Sequence, residues 1–76
     1  MEQELVEHIA KNLVNDPSQV KVNRRSAGPS TVLELHVAPE DMGRVIGKNG
    51  RVANAIRSLL RVVGSQEGRR VILEID

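Results

Sequence analysis

The chain has no cysteine, no phenylalanine, no tyrosine and no tryptophan. Without cysteine, neither a disulfide framework nor a thiolate metal site can be built. Without aromatic rings, the core must come from valine, isoleucine, leucine, alanine and methionine, and stacking of bases on aromatic side chains is excluded. No apolar run approaches the length of a membrane span. No basic-then-apolar stretch at the N-terminus resembles a signal peptide, so a cytoplasmic chain with no membrane partner is expected. With two histidines and no cysteine, and with His8 and His36 on different elements, neither a metal site nor a catalytic base with a nucleophile beside it has support.

The 76 residues leave room for one core, so residues 1–76 are read as a single domain. Domains of this size bury only about 60% of their unfolded surface. The lack of aromatics removes the largest individual contributors to burial, and self-association is expected to supply further stability. The net charge of +1 carries little information, but its distribution is uneven. Between Met42 and Gln66 lie Arg44, Lys48, Arg51, Arg57 and Arg61 and no acid, while Glu2, Glu4, Glu7, Glu40 and Asp41 lie before that stretch. One half of a nearly neutral domain is therefore basic.

Leu5, Val6, Ile9, Ala10, Leu13 and Val14 recur at helical spacing, with three glutamates early in the segment where they favour a helix start. Asn15-Asp16-Pro17 ends this helix. Gln19 to Arg25 and Thr31 to Val37 alternate as strands, the second placing Leu33, Leu35 and Val37 on one face and Val32, Glu34 and His36 on the other. Gly28-Pro29-Ser30 is the turn between them, so the two are expected to pair as a hairpin. Ala38-Pro39-Glu40-Asp41 opens a second helix, which Gly47 stops after Ile46. A third helix follows Gly50, with Val52, Ile56, Leu59 and Val63 as its stripe and Ala53 and Leu60 widening it. Gly64 is expected to close it, and residues 64–68 read as a loop. Val71, Leu73 and Ile75 then alternate in a last strand. The order α-β-β-α-α-β predicts an α+β fold with helices packed on one face of a three-stranded sheet.

Between the last two helices stands Gly47-Lys48-Asn49-Gly50. Glycines at both ends of so short a turn let the backbone press against a phosphate chain that a side chain would hold away. The N-terminus of the helix beginning near Arg51 adds unpaired N–H groups and a positive dipole end. Lys48 supplies a mobile positive charge, and Asn49 either donates to a phosphate oxygen or caps the next helix. Val45 and Ile46 offer an apolar surface for bases. Two other readings of these residues fail. Asn49-Gly50 as a hairpin turn would require alternating flanks, and these do not alternate. A nucleotide-binding P-loop requires one more residue between Gly43 and Gly47 and a hydroxyl in place of Asn49.

Val45-Ile46-Gly47-Lys48-Asn49-Gly50 matches the V-I-G-x-x-G core of the KH domain, and the element order matches the type II topology of that fold. Over nearly its whole length the sequence resembles the single-domain bacterial KH proteins of the KhpA (YlqC) family. The residues from Gly43 to Arg51, with Ala55-Ile56-Arg57, are the most specific part of the match. The resemblance implies a non-enzymatic protein without cofactors that grips short single-stranded RNA by the Gly-x-x-Gly loop. It carries over Arg44, Val45, Ile46, Gly47, Lys48, Asn49, Gly50 and Arg51 as RNA-binding residues. It further implies an RNA chaperone or post-transcriptional regulator that forms homodimers. Such a protein associates with a larger KhpB (Jag/EloR)-like KH protein and is linked to cell shape and division. Ala53 departs from the larger aliphatic common at that position and is expected to leave a shallower groove. Whether Arg57, Arg61, Arg69 and Arg70 extend the basic track is left open by the residues. The surplus of apolar positions at Leu59, Leu60, Val62 and Val63 is a candidate dimer surface.

Overall fold

The computed structural model describes residues 2–76. Helix α1 (Glu2–Leu13) is followed by strands β1 (Lys21–Ala27) and β2 (Ser30–His36), the short helix α2 (Met42–Ile46), the long helix α3 (Arg51–Gln66) and strand β3 (Arg70–Ile75). The predicted order and all six elements are present. In α1 the inward face is Val6 and Ala10, both fully buried, with Ile9 and Val14 partly buried beside them. Asp16 is extended, at φ −120° and ψ 83°, as a residue before proline must be, and Pro17–Gln19 forms a single 3₁₀ turn. That turn delays β1 to Lys21, two residues later than the alternation suggests.

The hairpin is as predicted, β1 and β2 pairing antiparallel from Lys21↔His36 to Ala27↔Ser30 around the two-residue turn Gly28–Pro29. β3 lies on the other side of β2 and pairs with it in parallel, from Ser30↔Arg70 to Leu35↔Ile75. A parallel pair needs a long crossover, and α2 and α3 are that crossover. As the central strand, β2 carries most of the sheet's burial: Val32, Leu33 and Leu35 are all buried. Val22, Leu33, Leu35, Val37 and Leu73 meet Val6, Val45, Ile56 and Leu60 from the helices in one core. The opposite sheet face carries Arg25 of β1, whose guanidinium lies 3.6 Å from both Glu34 on β2 and Glu74 on β3. All three side chains are exposed, so this ladder adds little stability.

Helix α3 corrects two expectations. Its buried stripe is Ala53, Ile56, Leu60 and Gly64, so Ala53 and Leu60, expected only to widen the stripe, are at its centre, while Val52 and Val63 are half-buried at its margin. Leu59 and Val62 are instead 51% and 58% exposed. Gly64 does not end the helix, which continues to Gln66. It belongs to the buried stripe, where a Cβ would lie 2.5 Å from the Arg69 carbonyl oxygen. The helix ends two residues later in a Schellman motif: the Arg69 N–H donates to the Gly64 carbonyl at 2.9 Å and the Gly68 N–H to the Ser65 carbonyl at 3.2 Å.

Candidate nucleic-acid interface

The glycine turn is built as the spacing predicts. α2 stops at Ile46, where the Gly47 N–H donates to the Gly43 carbonyl at 2.8 Å. Lys48–Gly50 then makes one tight turn closed by the Gly50 N–H on the Gly47 carbonyl at 3.1 Å. Asn49 sits in the left-handed region at φ 58°, ψ 24°, a conformation asparagine tolerates better than most side chains. Its side chain makes no hydrogen bond among the described residues, so it does not cap α3; Gly50 occupies that position. Lys48, Asn49 and Arg51 are all exposed.

The two glycines differ in what they do. A Cβ on Gly47 would fall 2.5 Å from Val52 Cγ2 and 2.8 Å from the Val52 backbone nitrogen. Gly47 is therefore required by the protein's own packing. A Cβ on Gly50 would meet nothing nearer than Asn54 Nδ2 at 3.7 Å. The surface over Gly50 is open, and only there does the missing side chain leave room for an incoming chain.

The residues before the turn divide likewise. Val45 is fully buried, so the expectation that it offers a surface for bases fails: it anchors α2 to the core. Ile46 is 37% exposed and remains available. Arg44 places Nε 3.6 Å from Asp41 Oδ1. Asp41 itself is fully buried, its two carboxylate oxygens accepting the backbone N–H groups of Asn15 and Asp16 at 3.1 Å each. What reads in sequence as a first-turn acid is thus the post that ties the α1–β1 connection to the start of α2. Ala53 is 3% exposed and packs inward, so its small size does not make the surface groove shallower.

Beyond the turn, α3 runs beside the free edge of β3, and an open groove of about 400 Å³ separates them. Arg57, Arg61 and Arg70 line it, with Val71 and Ile72 as apolar floor and no acid. A second groove of about 600 Å³ continues past Arg57 and is lined by Glu34, His36, Glu74 and Asp76. Arg57 lines both, reaching across to the Leu73 carbonyl with Nη2 and Nε at 3.3 and 3.4 Å. Arg69, by contrast, is spent within the protein: its guanidinium donates to Glu2, to Glu67 at 2.6 Å and to Thr31 Oγ1 at 3.3 Å. Burial pushes the Glu2 carboxyl up, but a hydrogen bond from its own backbone N–H and the Arg69 charge outweigh that, holding it below the usual glutamate value. No group of three or more histidine or acidic side chains is placed to hold a metal among the described residues.

The Asp41 post, the Glu2–Arg69 clasp and the Arg57 bridge went unread in the sequence. Each joins residues at least 16 apart along the chain, Arg57 to Leu73 being the nearest, and no local spacing announces such a pair.

Comparison with known proteins places this arrangement. Residues 3–75 match the family model of the KhpA/KhpB KH domain. The chain is 54% identical over 72 residues to the RNA-binding protein KhpA of Caldanaerobacter subterraneus subsp. tengcongensis, covering 95% of this chain and 96% of that one. It is 50% identical over 72 residues, with the same coverage, to the RNA-binding protein KhpA of Clostridium acetobutylicum. To that of Streptomyces coelicolor it is 38% identical over 76 residues, covering all of this chain and 96% of the relative. Among solved structures, Aquifex aeolicus Era bound to GDP and AlF4⁻ superimposes with a TM-score of 0.59 at 24% identity, a likeness of fold, covering 97% of this chain and 29% of Era. Era in complex with MgGDPNP and nucleotides 1506–1542 of 16S ribosomal RNA does so with a TM-score of 0.54 at 26% identity, covering 97% of this chain and 28% of that one. With the predicted element order, the glycine turn and a family match over nearly its full length, the chain belongs to the KhpA/KhpB family of KH domains.

Proposed function

We propose that the chain is a non-enzymatic RNA-binding module that holds the backbone of short single-stranded RNA against the turn from Gly47 to Gly50. The observation that carries this reading is the open surface over Gly50, flanked by exposed Lys48, Asn49 and Arg51, with a groove lined by Arg57, Arg61 and Arg70 further along α3. Lys48 follows a phosphate as a mobile charge, Arg51 and the first N–H groups of α3 add a fixed positive field, and Ile46 supplies apolar contact. Relatives that are half identical over 95% of the chain are named RNA-binding proteins, which supports the same partner. Such contacts position a strand without reading its sequence. With about three to five phosphates engaged, at about 0.7 counterions each, the affinity falls with salt at a log–log slope of about −2 to −3.5. Without aromatic stacking, one domain binds weakly, as suits a cytoplasmic RNA chaperone or post-transcriptional regulator that makes many short contacts.

The test compares wild type with Lys48→Asp/Asn49→Asp by fluorescence anisotropy on a single-stranded RNA pool. Two carboxylates in the turn repel phosphate, and aspartate tolerates the left-handed conformation of Asn49. Salt-sensitive binding that is lost in a variant with unchanged circular dichroism supports the reading. Equal binding by both proteins, or by neither, refutes it.

A second reading rests on a separate observation, the exposure of Leu59 and Val62 on α3. Together they give the helix an apolar outer strip that the domain's own core leaves uncovered. It is the surface through which the module would form a homodimer, or join a larger KhpB-like KH protein of the kind linked to cell shape and division. Two copies would present two grooves and recover affinity through effective concentration.

A further inference from the structure

We infer that Asn49-Gly50 is a self-modifying site: Asn49 deamidates to aspartate and isoaspartate when the turn opens without RNA, and the carboxylate so created switches off the grip on phosphate. The inference rests on the RNA-binding reading above and adds to it a covalent step by which the unoccupied module loses that activity.

Deamidation needs an asparagine side chain without a partner, a following residue that leaves its amide nitrogen uncovered, and a backbone able to turn. The chain has five asparagines, and Asn49 alone is followed by glycine. Asn49 is exposed, and its side chain makes no hydrogen bond among the described residues. It is also the one residue other than glycine at positive φ among them. Beside it, a side chain on Gly50 would meet nothing nearer than Asn54 Nδ2 at 3.7 Å, so water and the Asn49 amide approach freely. The other four are protected. Asn12, Asn23 and Asn54 lie inside α1, β1 and α3, where the hydrogen-bonded ladder fixes ψ and opens only cooperatively. Asn12 is further tied to the His8 carbonyl at 2.7 Å. Asn15 precedes Asp16, whose amide nitrogen is already held by Asp41 at 3.1 Å.

In the closed turn the reaction is blocked. At ψ 24° the Gly50 nitrogen is rotated away from the Asn49 side chain, and its N–H donates to the Gly47 carbonyl at 3.1 Å. Breaking that bond at an exposed tip costs little beside opening a helix or a strand. Once it is open, the Gly50 nitrogen gives up its proton and bonds to Asn49 Cγ. The Cγ–Nδ2 bond breaks, and Nδ2 leaves as ammonia with that proton. Water then opens the cyclic imide, its hydroxyl going to one carbonyl carbon and its remaining hydrogen to the Gly50 nitrogen. Attack at Cγ gives aspartate; attack at the main-chain carbonyl gives isoaspartate. Lys48, Arg51 and the first N–H groups of α3 assist loss of the amide proton by the same positive field that suits a phosphate. Either product sets a carboxylate in that field and takes the net charge from +1 to zero. Isoaspartate also lengthens the backbone by a carbon and so breaks the tight turn from Lys48 to Gly50. RNA seated on the turn holds it closed, so the occupied module is protected while the empty one ages.

The experiment incubates the full chain in warm, mildly alkaline buffer with and without a single-stranded RNA pool, and follows it by peptide mapping with mass spectrometry. Fresh protein, the aged forms separated by ion exchange and Asn49→Asp are then titrated with the same pool by anisotropy. Asn49 is expected to convert while the other four asparagines stay intact. RNA at about ten times its Kd is expected to slow the conversion about tenfold, the factor by which it depletes free protein. The aged forms and Asn49→Asp are expected to bind at least about fivefold more weakly, the smallest effect of a unit charge about 4 Å from a phosphate in water, with unchanged circular dichroism. Earlier conversion of another asparagine, or of none, overturns the proposal and leaves the RNA-binding reading standing. So does conversion at the same rate under RNA, or an aged form that binds as fresh protein does. An aged form with altered circular dichroism has lost its fold and not its grip, and overturns the proposal as well. Fresh protein that binds no RNA overturns both readings.

Discussion

Replacing each glycine of the turn by alanine, one at a time, separates the structural part of the motif from its binding part. Gly47 has φ 78° and ψ 168°, a region that is essentially glycine-only and costs another residue about 1–3 kcal/mol. The added methyl would also lie 2.5 Å from Val52 Cγ2 and 2.8 Å from the Val52 backbone nitrogen. The second of these atoms sits in the first turn of α3 and cannot swing away, so the overlap adds about 1–3 kcal/mol of overpacking. Gly47→Ala is therefore expected to cost about 2–6 kcal/mol, against a total stability of about 4–11 kcal/mol for 76 residues. Gly50, at φ 75° and ψ 13°, is left-handed but has open space around it, so Gly50→Ala is expected to cost only about 1–2 kcal/mol. Urea unfolding followed by circular dichroism reads both, with unchanged m-values confirming that stability and not the unfolded state has moved. Equal midpoints for the two variants would refute the assignment of Gly47 to internal packing. If the difference holds, weak RNA binding by a Gly47 variant reports lost fold, and only Gly50 reports contact.

Asp41→Ala removes the acceptor of the Asn15 and Asp16 amides and is expected to destabilise by about 2–3 kcal/mol, with faster hydrogen exchange at those two amides; exchange unchanged at both would refute the role. Glu2→Gln weakens the clasp on Arg69. The folded carboxyl titrates below its ordinary 4.5, so its stabilisation is complete above that value and lost as the pH falls through the lower folded one. The stability gap between wild type and Glu2→Gln is thus expected to be constant at neutral pH and to close on acidification; a gap that widens in acid contradicts the sign. Leu59→Lys/Val62→Lys, at positions more than half exposed, is expected to change monomer stability by no more than about 0.5 kcal/mol per site and to abolish self-association in sedimentation; a monomeric wild type, or a variant that still self-associates, removes the α3 surface from consideration.

The glycine turn was legible because its determinants are local. A left-handed backbone, a helix stop and a helix start within four residues leave few side chains that fit, and the sequence shows them in order. The alternation in β2 and the proline before α2 were read for the same reason. The α3 face was misread because seven of the twelve residues from Val52 to Val63 are valine, isoleucine, leucine or alanine other than Ala55, more than one helical face can bury. Periodicity alone then cannot choose between overlapping stripes. What settles the choice is Gly64, which extends the stripe Ala53, Ile56, Leu60 by one turn to where the Arg69 carbonyl presses against the helix. A glycine taken as punctuation was a packing residue. The same limit governs the charges. Arg44, Arg57 and Arg69 look alike in sequence, yet one borders a buried carboxylate, one bridges to a strand edge and one is enclosed by two glutamates and a threonine. Their difference is written only in the partners that the fold brings to them. The basic half of the chain therefore predicts a binding face, while the division of labour within that face follows from which cations the protein has already engaged.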